Sequence, residues 1–204
     1  MVAPDDADAL VAVVRRMYER GLAPGTGGNM SAARPGGGLV ITASGVDKRT
    51  ATVDDLVEVD GDGRQVAGRG RPSAETALHR VLVARGAGAV LHGHSVWNTL
   101  VSLRGAAAGA VTITGLEMVK GLAGVTSHEH REVVPVIANS QDLPALAVTL
   151  AATLDHHPAC HGVLVAGHGL YTWGAELREA ERHVEVFEFL FEVLIRSGGD
   201  PWRD

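Results

Sequence analysis

Two histidines separated by one glycine, His92 and His94, follow a short apolar run that begins at Ala89. The run predicts a buried β-strand, on which residues two apart project from the same face. The strand would therefore present two imidazoles together, and imidazole nitrogens are common ligands of Zn²⁺. The alternative is a pair of hydrogen-bonded histidines at a strand end, and the motif alone does not decide between them.

A third histidine, His168, lies in a Gly-His-Gly triplet at the end of a second apolar run. Catalytic zinc sites typically have three protein ligands and an open position for water or substrate. His92, His94 and His168 would form such a site if the fold brought the two strand ends together.

A second His-X-His pair, His128 and His130, has charged neighbours and no apolar strand before it. This context favours an exposed loop over a metal site.

Three segments rich in small or polar residues are candidates for binding an anion. The first is a glycine-rich loop that ends near Asn29, the second runs from Ser44 and Gly45 to Lys48, and the third contains Ser73 at a predicted helix start. Backbone N–H groups in such loops and at helix N-termini attract anions. For the first segment alone, a flexible turn before a strand is the favoured interpretation.

Two acidic residues are candidates for contact with a metal or substrate. Glu75 falls in the predicted first turn of a helix, and Glu117 lies two residues after Gly115. A carboxylate near a helix start also has an ordinary role, because it interacts favourably with the helix dipole. Glu117 could instead act as a general acid/base if it faced the metal. Local sequence does not separate these interpretations.

The elements that would position these residues alternate between strands and helices with short connections, which predicts an α/β sheet covered by helices. The length of 204 residues suggests one domain over residues 1–204. A last long helix is expected from about Glu176 to Arg196, and it carries all three phenylalanines. That pattern indicates a core or interface helix.

Composition and charge limit which binding partners and which cellular compartment we expect for this protein. The formal net charge of -6 argues against a general nucleic-acid binder. Cys160 is the only cysteine, which excludes an intrachain disulfide. The amino terminus lacks signal-peptide features, and no apolar stretch reaches the roughly 18 residues of a membrane span. We therefore expect a cytoplasmic protein that does not bind a membrane.

Five motifs in a fixed order resemble the class II aldolase/adducin superfamily. They are Gly-Gly-Asn-Met-Ser31, Ile41-Thr-Ala-Ser-Gly45, Pro72-Ser-Ala-Glu75, His92-Gly-His94 and Gly167-His-Gly169. Within the superfamily, the chain is most similar to the ketose-phosphate dehydratases of methionine salvage. The cues for that branch are Ser44-Gly-Val-Asp-Lys48, Leu116-Glu-Met-Val-Lys-Gly121, Thr126-Ser-His-Glu-His130 and Gly167-His-Gly-Leu-Tyr-Thr-Trp-Gly174. One departure is Ala43, where proline is usual.

The resemblance implies a three-layer fold with a central, mostly antiparallel sheet flanked by helices, assembled as a homotetramer with active sites near subunit contacts. It implies one Zn²⁺ per subunit on His92, His94 and His168, and a general acid/base at Glu117. The implied substrate is a small phosphorylated ketose, and the implied reaction is its dehydration. The residues assigned to substrate or phosphate binding are Asn29, Ser44, Gly45, Lys48, Ser73 and Glu75, of which Glu75 matches an acid that contacts metal or substrate in related aldolases.

Two alternatives remain open from sequence. The first keeps the zinc but changes the bond that is broken, as in a sugar-phosphate aldolase of the L-fuculose-1-phosphate type or a pentulose-phosphate 4-epimerase. The second is a metal-free binding module like that of the adducin branch. Retention of all three histidines argues against the second alternative.

Overall fold

The computed structural model describes residues 4–198, with no side-chain description for residues 4–6; residues 1–3 and 199–204 lie outside this range. The helices are α1 (Pro4–Glu19), α2 (Thr76–Ala84), α3 (Val96–Gly105), α4 (Leu143–His156) and α5 (Leu177–Arg196). The strands are β1 (Asn29–Ala33), β2 (Leu39–Thr42), β3 (Leu56–Val59), β4 (Gln65–Gly68), β5 (Ala89–Gly93), β6 (Ala110–Ile113), β7 (Glu132–Ile137), β8 (Gly162–Val165) and β9 (Gly169–Gly174). Short 3₁₀ helices span Val53–Asp55 and Glu117–Gly121.

The strands form one nine-stranded sheet in the order β4-β3-β2-β1-β5-β9-β8-β7-β6. Neighbouring strands are antiparallel throughout, apart from the parallel pair β7 and β8. The expected α/β fold with a central, mostly antiparallel sheet flanked by helices is therefore confirmed.

Helices cover both faces of this sheet, and β5 shows how alternate residues divide between them. Ala89 and Leu91 belong to a core cluster with residues of α1 and α5. Val90, between them, belongs to a different cluster with residues of α2 and α4. Alternate residues of the strand thus pack into two separate hydrophobic layers.

Helix α5 follows the spacing of its apolar residues closely. Phe187, Leu190 and Phe191 are fully buried, whereas Phe189 is 47% exposed. The predicted range was Glu176 to Arg196, and the helix spans Leu177–Arg196. None of the helices described between residues 4 and 198 is long and apolar enough to cross a bilayer.

The pairing of β5 with its neighbours sets the position of the candidate site. Asn29 of β1 lies opposite His92 on one side, and Tyr171 of β9 lies opposite His92 on the other. The tight connection between β8 and β9 contains His168. Three segments distant in sequence therefore meet at one end of the central strands.

Candidate metal centre and adjoining cavity

The side chains of His92, His94 and His168 converge at the end of β5. The Nε2 atom of His92 lies 2.7 Å from Nε2 of His94 and 3.3 Å from Nε2 of His168. Among residues 7–198, whose side chains the structure describes, these three form the one group of three or more histidine, cysteine or carboxylate ligands whose atoms all lie within 4.8 Å of one another. Their geometry is that of a possible metal site.

The hydrogen bonding of His92 determines which of its nitrogens can bind a metal. Its Nδ1 atom lies 2.9 Å from the carbonyl oxygen of Leu170, which can only accept. Nδ1 therefore carries the proton, and the Nε2 lone pair faces the other two imidazoles. Burial lowers the pKa of His92 well below its usual value and that of His94 to about 4, so both rings are neutral at pH 7. Neutral imidazoles are the form that ligates metals, so this donor set fits a divalent cation.

Glycine at position 169 allows the β8–β9 connection to approach β5. A Cβ atom at Gly169 would overlap the carbonyl oxygen of Gly93 and lie 3.0 Å from Cε1 of His92. The glycine at position 169 is thus explained by close backbone approach.

Glu75 lies directly beside the three histidines. Its Oε1 atom is 3.1 Å from Nε2 of His168, and its Oε2 atom is 3.4 Å from Nε2 of His92. Asn29 donates to Oε2 through Nδ2 at 2.5 Å. Burial favours the neutral acid, but the hydrogen bonds from His168 and Asn29 outweigh it and lower the pKa of Glu75. The carboxylate is therefore ionised and within reach of whatever the histidines bind.

Helix α2 begins later than predicted, which changes the local roles of Ser73 and Glu75. The helix starts at Thr76, so Glu75 occupies the cap position instead of the first turn. Ser73 precedes the helix, and its hydroxyl accepts from the Glu75 N–H at 3.3 Å. The expectation that Ser73 caps the helix was wrong by two residues, because Pro72 forms an isolated β-bridge with Ala43 and a turn at Ala74 and Glu75 precedes the helix.

A cavity of about 290 Å³ adjoins the histidines. Among its lining residues are most of those singled out from sequence: Asn29, Ser44, Gly45, Lys48, Ser73, Glu75, His94 and His168. The loops after α1 and β2 and the segment before α2 thus surround one space beside the candidate metal centre.

Lys48 supplies the cavity with a buried cation. The residue is 1% exposed, and its ammonium donates to the carbonyl oxygens of Thr26 at 2.8 Å and Val46 at 3.3 Å. Burial lowers the pKa of Lys48. An ammonium has three donors, and the two carbonyls account for two of them.

Three further residues line the cavity that were not singled out from sequence: Ser140, Gln141 and Leu143. They lie at the start of α4, where Asp142 caps the helix by accepting from the Ala145 N–H at 3.0 Å. The available sequence signal for this part of the cavity was the polar pair Ser140 and Gln141, which directly precedes the helix cap Asp142. Ser31, which ends the Gly-Gly-Asn-Met-Ser31 motif, is buried, and its hydroxyl bonds to Nδ1 of His79 at 2.7 Å.

Glu117 does not line the cavity of its own chain. It lies in the 3₁₀ helix Glu117–Gly121, with 70% of its side chain exposed, and it pairs with Lys120. The hydrogen bond from Lys120 lowers the pKa of Glu117.

The second His-X-His pair is not part of the metal-ligand group. His128 is exposed, and Nε2 of His130 lies 2.9 Å from the carboxylate of Glu132.

The sequence matches the profile of the Class II Aldolase and Adducin N-terminal domain over residues 8–195. It is 43% identical over 196 residues to a methylthioribulose-1-phosphate dehydratase from Sorangium cellulosum. The aligned region covers 95% of this chain and 92% of the relative. It is 45% identical over 190 residues to a protein of the same name from Pectobacterium atrosepticum, with 92% of each chain covered.

The fold is also similar to that of a solved L-fuculose-1-phosphate aldolase from Thermus thermophilus. The TM-score is 0.75 at 27% sequence identity, and 93% of each chain is covered. The architecture and the sequence therefore point to the same group of proteins.

Proposed function

Since the chain belongs to the class II aldolase and adducin family, we propose that it dehydrates 5-methylthioribulose 1-phosphate to 2,3-diketo-5-methylthiopentyl 1-phosphate. This makes it a lyase, a methylthioribulose-1-phosphate dehydratase of methionine salvage. The observation that carries the proposal is the name shared by relatives that are 43% and 45% identical over more than nine-tenths of the chain.

We propose that His92, His94 and His168 hold one Zn²⁺ per subunit. The convergence of their nitrogens and the tautomer of His92 support this assignment. Zinc suits three imidazoles with an open position, although iron, cobalt or manganese suit the same ligands. When bound, the ion supplies Lewis-acid polarisation of the substrate ketone at C2.

The reaction requires a proton to leave C3, beside the ketone, and the hydroxyl to leave C4. The C3–H and C4–O bonds break, a double bond forms between C3 and C4, and the oxygen departs as water. The enol at C3 then becomes the second ketone. We propose that Glu117, a carboxylate at rest, takes up a proton and gives it to the departing C4 oxygen. In net terms, the hydrogen lost from C3 and the hydroxyl lost from C4 leave as one water.

We propose that Glu117 serves the site of a neighbouring copy within a homotetramer. Its exposure, and its position outside the cavity of its own chain, support this arrangement. Helix α3 also exposes an apolar stripe, Val96, Leu100 and Leu103, at spacings of four and three residues. Leu103 is adjacent to Gly167, next to the candidate ligand His168, so a second copy covering the stripe would lie close to the metal centre.

The substrate phosphate is assigned to the part of the cavity that is lined by Asn29, Ser44, Gly45, Lys48 and Ser73. Gly45 has a φ of 76°, a conformation that favours glycine, and the residue is exposed at this turn. Lys48 provides the positive charge that a phosphate dianion requires. The same cavity lining includes Glu75, which we assign to contact with the metal or with the substrate.

Replacing Lys48 with methionine is expected to weaken phosphate binding while leaving the metal bound. A lost charge-assisted hydrogen bond is worth about 1.5–3 kcal/mol, so KM should rise roughly 10- to 100-fold. Steady-state kinetics and inhibition by inorganic phosphate measure this. Arg49→Met is the matched control, because Arg49 is the next residue and is 61% exposed. Unchanged KM and phosphate inhibition in Lys48→Met would remove Lys48 from the phosphate site.

We further propose that the whole chain is one catalytic domain that works in the cytoplasm, without binding nucleic acid or a membrane. The negative net charge of -6 and the single continuous sheet support this picture.

The test of the proposed function is the mass of the product after zinc-loaded protein is incubated with 5-methylthioribulose 1-phosphate. Loss of one water supports the dehydratase. Cleavage to a smaller phosphorylated fragment would instead identify an aldolase, which the fold similarity to an L-fuculose-1-phosphate aldolase keeps as the second candidate. A rearranged substrate of unchanged mass would identify an epimerase. Unchanged substrate with no metal bound would identify a binding module.

A further inference from the structure

A cluster of largely buried residues outside the cavity binds both the backbone N–H and the backbone carbonyl of Ala123. Nε2 of His183 accepts from the Ala123 N–H at 3.0 Å, and Nε2 of His161 lies 2.8 Å from the Ala123 carbonyl oxygen. His161 directly precedes β8, whereas His183 belongs to α5. Two histidines from parts of the chain that are distant in sequence therefore hydrogen-bond to one residue of the segment between Gly121 and β7.

The partners of His161 determine its protonation state. Its Nδ1 atom lies 3.0 Å from Oε2 of Glu132, and its Nε2 atom faces the Ala123 carbonyl oxygen. Glu132 is only 1% exposed and accepts also from the backbone N–H of His161 at 3.0 Å, which favours the ionised carboxylate. Neither partner can then donate, so both ring nitrogens of His161 carry hydrogens. His161 is an imidazolium paired with a buried carboxylate.

His183 has the opposite state. Its Nδ1 atom lies 2.7 Å from the carbonyl oxygen of Trp173, so Nδ1 donates, while Nε2 accepts from Ala123. The ring is neutral. The rings of His161 and His183 meet edge to face, with centroids 5.3 Å apart. The neutral histidine thus accepts from the Ala123 N–H, and the charged histidine donates to the Ala123 carbonyl oxygen.

The segment held in this way is the one that carries Glu117. Between Glu117 and Ala123, the side chains of Val119 and Leu122 are buried. Successive turns connect them, since the Val119 N–H donates to Leu116 and the Leu122 N–H donates to Val119. Fixing Ala123 therefore limits the movement of the whole 3₁₀ helix.

We propose that His161, Glu132 and His183 form a clamp on Ala123 that positions Glu117 for the reaction of the neighbouring subunit. This inference rests on the proposed function, because it assumes that Glu117 transfers a proton. The three clamp residues act through the backbone and do not touch the substrate. Misplacing a catalytic group by about 1 Å can cost on the order of 100-fold in rate, so a clamp of this kind has catalytic consequences.

The clamp depends on pH through His161 and Glu132. Burial lowers the pKa of His161, but its bonds to Glu132 outweigh this and raise it overall; burial raises the pKa of Glu132, but the bonds from His161 and His130 lower it overall. Because the folded pKa of His161 is raised, protonated His161 stabilises the clamp at low pH, and this contribution is lost as pH rises through that folded pKa. The carboxylate contribution is lost as pH falls through its own lowered pKa. Other titratable groups near His161 or its neighbour His183 are His130, Cys160, Glu179 and Arg182.

The direct test compares His161→Ala and His161→Gln with His156→Ala, a control at an exposed histidine on α4. In both His161 variants we expect kcat to fall roughly 10- to 100-fold while KM and bound zinc stay the same. Amide hydrogen exchange over residues 117–125 should become roughly tenfold faster. In the parent protein we expect kcat to fall as pH rises through the folded pKa of His161, and this fall should be absent from both His161 variants. The control should match the parent protein in each measurement.

Unchanged kcat and unchanged exchange in both His161 variants would overturn the clamp. The exchange measurement needs no substrate, so it separates this inference from the proposed function. If exchange became faster in the His161 variants but the parent protein dehydrated no substrate, the proposed function would be wrong. The catalytic role of the clamp would then be wrong as well, whereas its structural role would be supported. Faster exchange with unchanged kcat would show that the clamp is structural only and overturn its positioning role.

Discussion

Replacing His168 with alanine is expected to abolish metal binding and lower turnover roughly a thousandfold or more. Its Nε2 atom is one of three converging nitrogens, and two imidazoles bind a divalent ion far less tightly than three. Loss of the Lewis acid removes several kcal/mol of transition-state stabilisation, and about 4 kcal/mol corresponds to a factor of about a thousand. The variant should also fail to recover activity at zinc concentrations that saturate the parent protein.

Metal content per subunit, measured alongside kcat, checks this expectation. His128→Ala is the control for metal content, because His128 is an exposed member of the second His-X-His pair. It should keep its metal. If His168→Ala bound zinc as the parent protein does, or if His128→Ala lost it, the three-histidine assignment would be wrong.

Replacing Glu117 with glutamine is expected to lower kcat roughly 100- to 10,000-fold while the metal stays bound. The amide keeps the size of the side chain but cannot take up and release a proton. Because Glu117 is exposed and outside its own cavity, the variant should fold and bind zinc normally. Glu129→Gln, at another exposed acid, should retain full turnover.

Mixing two inactive variants shows which subunit supplies Glu117. In mixed tetramers of Glu117→Gln and His168→Ala, some sites combine an intact metal centre from one chain with an intact Glu117 from its neighbour. With equal amounts of both chains, about a quarter of the sites should recover. No recovery in verified mixed tetramers, while each parent variant is inactive, would place the action of Glu117 within its own chain.

The sequence predicted those parts of the fold that depend on local patterns. The apolar run before His92 and the spacing of apolar residues in α5 indicated a strand and a helix that the structure contains. Periodicity indicates which face of a helix or strand is buried. It therefore identifies the element but does not show which other elements pack against it. The strand directions came from the family resemblance, not from periodicity.

Contacts between distant segments could not be predicted from local patterns. The approach of His168 to His92 depends on the antiparallel pairing of β9 with β5, which tertiary packing decides. The bonds of His161 and His183 to Ala123 join residues 38 and 60 positions apart. Such pairs leave no periodic signal. The role of Ser73 was missed for a different reason, because its hydroxyl bonds within a turn that precedes α2.

The most direct test of the account is a titration of metal-free protein with Zn²⁺ while formation of the dehydrated product is followed. The account predicts no turnover without metal and a linear rise that ends at one zinc per subunit, with His168→Ala inactive throughout. Full turnover by protein shown to be free of divalent metal would contradict it, and so would a rise in the His168→Ala variant equal to that of the parent protein.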